Sequence, residues 1–149
     1  MRRKAHLKAM KKIVEIRRVQ QLAARIEVAK ASGVLSQREA RRDSDAETSR
    51  KDLIDWARAM SSPLPSLQLV AAWSAQVNAS QAELRHAEAD VRDGQHVKHH
   101  RTANWQETLA RADAAEDLLA AASARVRAVD VENALGDLAD QISYRRPSA

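Results

Sequence analysis

The chain has no cysteine and no phenylalanine, and only three glycines and three prolines in 149 residues. Without cysteine there is no disulfide, no thiolate nucleophile and no Cys-based zinc site, a usage compatible with a reducing cytoplasm. Three Trp and one Tyr are the whole aromatic complement. A compact domain of this size would bury several such rings, each covering about 150–250 Å², so this chain cannot be built that way. Turn formers are too few for a many-stranded sheet protein. No uncharged apolar run approaches the ~18 residues that would span a bilayer, so no membrane insertion is expected. The opening Met1-Arg2-Arg3-Lys4 is not followed by the apolar stretch of a secretory signal, because Lys8, Lys11 and Lys12 interrupt it.

What the chain does have is alanine, at 30 positions, together with Glu, Lys, Leu and Arg. That is a long-helix composition. The strongest break is Ser61-Ser62-Pro63-Leu64-Pro65-Ser66. Two prolines this close cannot lie inside a helix, since each lacks an N–H and clashes with the preceding turn. The spacing predicts a single all-α hairpin over 1–149. Helix 1 covers about 3–60, the turn 61–66, helix 2 about 66–143 and a tail 144–149, with Ser66 as the cap of the second helix. At ~1.5 Å per residue the two helices would run roughly 87 Å and roughly 117 Å.

Helices of that length need partners. Every seventh residue from Val70 is apolar through Val126, except Lys98, and the positions three further on (Trp73, Ser80, Ala87, Gly94) are mostly small. A seven-residue repeat of this length specifies an antiparallel coiled coil when the chain folds back on itself. Helix 1 is less regular. Leu7, Met10 and Val14 mark one side, and Ile16, Val19, Leu22 and Ile26 another, which suggests a wide apolar stripe. Between Ser36 and Asp52 only Ala40 and Ala46 are apolar, so the middle should pack more weakly than either end. Folding at Pro63-Leu64 pairs residues whose numbers sum to about 127. Gly33 is then expected opposite Gly94, and residues from about 127 on should overhang the first helix.

Charge is uneven. Residues 1–30 hold ten basic and two acidic side chains, residues 31–60 balance, and the remainder is slightly acidic. The positive end (Arg2, Arg3, Lys4, Lys8, Lys11, Lys12) should seek an acidic surface such as nucleic acid, anionic lipid or an acidic protein collar, or else be a solvated face. Nucleic acid is the less expected partner, since the aromatic interleaving of single-strand binders is missing. His96, His99 and His100 share a helix face, but Arg92, Lys98 and Arg101 surround them. Polar surface is therefore a better reading than a metal site. No phosphate loop or His-Glu-x-x-His occurs, so neither enzyme activity nor a cofactor is expected.

Leu53-Ile54-Asp55-Trp56 resembles the Leu-Ile-Asp-Tyr stretch of the FliJ/YscO family of flagellar and of virulence or symbiosis type III secretion systems. The closing Asp140-Gln141-Ile142-Ser143-Tyr144-Arg145-Arg146-Pro147 is similar to that family's terminal segment. Length, basicity and the two-helix layout fit as well. The resemblance implies a cytoplasmic bacterial protein, peripheral to the export apparatus at the inner membrane. It implies a coiled-coil hairpin, like the central stalk of a rotary ATPase, that engages the hexameric export ATPase. It further implies contact with the cytoplasmic domain of the export gate and, in some members, with secretion chaperones. The gate-binding face would fall on Leu53, Trp56 and Met60 of helix 1 and on Trp73, Val77 and Leu84 of helix 2. Trp56 and Met60 stand where the family has Tyr, and Trp73 where it has Phe. Leu53, Trp56, Met60 and Trp73 can equally serve as plain seam packing. ATPase binding is expected of Arg2, Arg3, Lys4, Lys8, Lys11 and Lys12, with Tyr144, Arg145 and Arg146 either docking or fraying. A basic hairpin for nucleic acid and a generic coiled-coil scaffold are the alternatives.

Overall fold

The computed structural model describes residues 2–144, with side chains from Lys4 on. Arg145 and Arg146 lie outside the described residues, as do the side chains of Arg2 and Arg3. Two helices account for nearly all of it: α1 (Arg2–Met60) and α2 (Leu67–Tyr144). There is no strand among the described residues. The fold is the expected all-α helical hairpin with the longer helix second.

The turn is built by its hydroxyls and prolines. At the end of α1, Ser61 N–H donates to the carbonyls of Ala57 and Arg58, and Ser61 Oγ donates to Ala57 O at 2.8 Å. Orphan carbonyls of the last turn are thereby satisfied, and Arg58 sits where a cation complements the helix dipole. Pro63 and Pro65 stop any continuation. Ser66 then opens α2: its Oγ accepts from the Leu69 N–H at 3.2 Å and its carbonyl from the Val70 N–H at 3.0 Å. This is the N-cap geometry expected of that residue.

The described chain divides into two compact units. One joins the residues up to Ala24 with those from Trp105 on; the other is 25–104. In the 25–104 unit the α2 seam read from the sequence is the buried one. Val77, Ser80, Ala87, Val91 and Gly94 are buried, and Val70, Trp73 and Leu84 half-buried. Lys98 and Arg101 are exposed, so the seam lapses where its apolar repeat does. In the other unit the same repeat continues through half-buried Trp105 and Thr108, buried Ala112, and half-buried Ala115, Leu119, Ala122, Val126 and Val129. From Asp130 through Tyr144 every residue is exposed, close to the overhang expected from residue 127.

Helix α1 departs from expectation in two ways. Leu7, Met10 and Val14 do face inward, but Ile16, Val19 and Leu22 are exposed, and so is Ile26. The apolar residues of α1 thus form two separate faces rather than one wide stripe, and only the first meets α2. The inward face also keeps a strict seven-residue repeat where hydropathy shows none. Leu35, Arg42 and Ser49, with Arg38, Asp45 and Asp52, are all buried or half-buried.

The middle is likewise not the loosest part of its unit. Ala87, 1% exposed, is the most deeply buried apolar residue found, and Ser49 is nearly as deep. Small side chains let the backbones approach, and long polar ones close over them. Arg38 Nη1 donates to the Asp90 carbonyl at 2.8 Å, Gln76 Nε2 donates to Asp52 Oδ2 at 3.3 Å, and Arg41 lies 3.5 Å from Glu83. Half-buried Asp45 has Arg41 Nε at 3.6 Å.

The two glycines do not meet. A Cβ on Gly94 would lie 3.2 Å from Leu35 Cδ1 and 3.3 Å from Arg38 Cδ, so Gly94 is the point of close approach, against Leu35. Gly33 has open space around it. Contacts across this unit (Arg41 with Glu83, Arg38 with Asp90, Asp52 with Gln76) keep close to the expected register, and Gly33 faces outward because the inward positions on either side of it are Ala31 and Leu35.

Candidate functional site

Two surfaces hold the residues singled out by the sequence. The first is the tip of the hairpin, within the 25–104 unit. Val77 is buried and Leu84 half-buried, both at seam positions facing α1. They hold the tip together and offer a partner little. Trp73 and Met60 are half-buried, and Trp56 and Leu53 stand at the exposed rim. A shallow groove lined by Asp52, Ala72, Trp73 and Gln76 runs beside them. The six expected gate residues therefore fall into a packed set and an accessible set.

The accessible set is larger than the sequence suggested. Leu64 is 91% exposed, Leu67 nearly as much, and Ile54 and Leu69 are exposed as well. Leu64 sits between two prolines, where no helix face exists to bury it. That placement was the signal available in the sequence. Together with Leu53 and Trp56 these side chains give the tip an apolar character that a solvated turn does not need.

The second surface is the basic end of α1, within the other unit. Lys4, Lys8, Lys11 and Lys12 are all exposed. Elsewhere seven of the seventeen described Lys and Arg side chains form ion pairs, among them Arg18 with Glu116 at 2.7 Å, Lys30 with Glu27 at 3.0 Å, Arg42 with Asp43, Arg58 with Asp55, and Arg111 with Glu107. No ion pair among the described residues involves any of the four lysines. The first turn of α1 carries no acidic residue and begins Arg2-Arg3-Lys4. Cations there oppose the helix dipole, so an anionic partner would relieve both the crowding and the dipole mismatch.

The pairs that do form shift their carboxylates in the ordinary direction. The hydrogen bond from Arg18 holds the Glu116 carboxyl below its usual value, helped by the guanidinium charge and opposed by partial desolvation. Glu27 is lowered in the same way, first by the hydrogen bond from Lys30 and to a lesser degree by the charge of Arg101.

Tyr144 is not brought to the lysines. It is almost fully exposed at the end of α2. Fifteen residues separate it from Val129, the last half-buried one, or about 22 Å of helix. Those residues carry Asp130, Glu132, Asp137 and Asp140 and no cation. The residues expected to bind the ATPase thus split into a basic patch on α1 and a separate, acidic approach to Tyr144.

His96, His99 and His100 are exposed, and no group of three His, Cys, Asp or Glu among the described residues is arranged to hold a metal ion. No described helix is long and apolar enough to cross a membrane. Comparison with known protein families, with curated proteins and with solved structures finds no match to this chain.

Proposed function

We propose that the chain is a non-enzymatic stalk or adaptor of a bacterial type III protein export apparatus, working on the cytoplasmic side of the inner membrane. In this reading the hairpin binds the hexameric export ATPase, favours assembly of the ring and couples it to the export gate. The observation that carries it is the exposed, unpaired lysine patch at the start of α1. Such a patch is suited to steering onto the acidic inner surface of a ring, with sensitivity to salt. Support also comes from the Leu53-Ile54-Asp55-Trp56 and Asp140–Pro147 resemblances, and from the apolar tip, whose accessible residues Leu53, Trp56 and Leu64 suit a second partner such as the gate or a secretion chaperone. A two-helix seam provides the stiffness that a coupling element requires.

The test is titration of the protein into its cognate export ATPase at physiological salt, following ATP turnover and ring assembly. Stimulation saturating near one chain per hexamer is expected. An otherwise competent ATPase that shows no response removes the reading. The same lysine patch favours nucleic acid as the second reading. A steep linear fall of log affinity for duplex DNA with log salt, about 0.9 per phosphate contacted, would identify it.

A further inference from the structure

Two exposed apolar seams in the unit formed by the first and last parts of the chain have no partner, and they match. The outer face of α1 carries Ala5, Ala9, Ile16, Val19 and Ala23 at a spacing of mostly three and four residues, with Lys12 filling the gap. These positions lie opposite the Leu7, Met10 and Val14 face that packs on α2. The bare end of α2 carries Val131, Leu135, Leu138 and Ile142 at the same spacing, and all four are exposed. A seven-residue apolar repeat on the outside of a helix that already has one seam is the pattern of a helix that takes a further helical neighbour. Val19 at 68% exposed and Leu135 at 63% are too open to be explained by packing within the chain.

Charge identifies the neighbour. Around the α1 seam stand Lys4, Lys8, Lys11, Lys12, Arg17 and Arg18 with Glu15 as the one acid, whereas the α2 seam from residue 130 to 144 has four acids and no cation. Each end also bears the sign that its own helix dipole disfavours: cations at the N-terminus of α1, and Asp137 and Asp140 near the C-terminus of α2. An anionic membrane would satisfy the basic seam but repel the acidic one. A second copy of this chain satisfies both.

We propose that the chain self-associates head to tail, the end of α2 of one copy lying on the outer face of α1 of the next. The contact is heterologous, so one copy offers a donor and an acceptor surface and growth continues beyond two. The proposal does not depend on the export reading.

The test is sedimentation of the full chain and of two variants, Val19→Asp and Leu138→Asp, with circular dichroism as a control. Both residues are exposed, so helicity should be unchanged. The wild type is expected to exceed its monomer mass of 16.5 kDa, increasingly with concentration and less at high salt. Each variant alone should remain monomeric. Their equimolar mixture should form a 1:1 pair and stop there, because the Val19→Asp copy keeps its tail and the Leu138→Asp copy keeps its α1 face. A wild type that stays monomeric at every concentration overturns the proposal, whether or not it pellets with anionic vesicles. So does wild-type association that both variants retain, or a mixture no heavier than its components.

Discussion

Gly94 shows how much a single missing methyl can decide. Glycine costs a helix interior about 1 kcal/mol relative to alanine. Gly33 and Gly136 have open space where a Cβ would go, so Gly33→Ala and Gly136→Ala should each stabilise the chain by about that amount in denaturant unfolding. Gly94→Ala should gain less, because Leu35 Cδ1 stands 3.2 Å from the new atom. In a Leu35→Ala background only the flexible Arg38 side chain remains beside the new methyl, and Gly94→Ala should recover most of the ~1 kcal/mol. Additivity of the two changes would show that the contact imposes nothing. Glu116 gives a pH-dependent counterpart. Its carboxyl is held below the ordinary value of 4.5 in the folded chain, so its stabilising effect is present above that pH and is lost as pH falls through the folded value. Glu116→Gln should therefore melt slightly below wild type at pH 7 and converge with it in acid; the pair is exposed, and the difference is small.

At the scale of the helix, α1 is the instructive element. Its inward face is apolar at Leu7, Met10, Val14, Ala24, Val28, Ala31 and Leu35, and the hydropathy pattern fails beyond Leu35, because Arg38, Arg42, Asp45 and Ser49 occupy inward positions. Those side chains work by reaching: Arg38 spans the interface to a backbone carbonyl of α2. The α2 seam could be read directly because its inward residues are small or aliphatic. Leu35→Ala should cost about 2–5 kcal/mol, as for other buried leucines, and a loss below 1 kcal/mol would show that the site collapses onto the gap. Ser66→Ala should cost about 1 kcal/mol by removing the α2 cap, read as a lower midpoint with an unchanged denaturant slope.

For the whole molecule the governing fact is charge distributed by end. Lys4→Glu removes a cation from the first turn of α1, where it opposes the dipole, and should raise stability by about 0.3–1 kcal/mol. Charge reversal at Lys4, Lys8, Lys11 and Lys12 together should keep helicity yet weaken binding to an acidic ring at least several-fold. Unchanged affinity would make the basic end a solvated surface. A Lys4→Glu variant that gains stability and loses binding would mark this charge as one kept for a partner rather than for the fold.

The division of labour between sequence and structure follows from range. Helix limits, the proline-bounded turn, the Ser66 cap and the α2 seam depend on residues within a turn or two of each other, and these were readable to within a residue or two. The overhang followed from helix lengths alone. Which apolar face of α1 turned inward did not, because Leu7 with Val14 and Ile16 with Val19 are equally good local stripes and only the presence of α2 chooses between them. The glycines follow from the same choice of face: Gly33 lies between inward Ala31 and Leu35 and so meets solvent, while Leu35 is set against Gly94. The same choice left Ile16 and Val19 uncovered, which the tertiary structure alone reveals, whereas Leu135 and Leu138 are bare because they lie on the overhang.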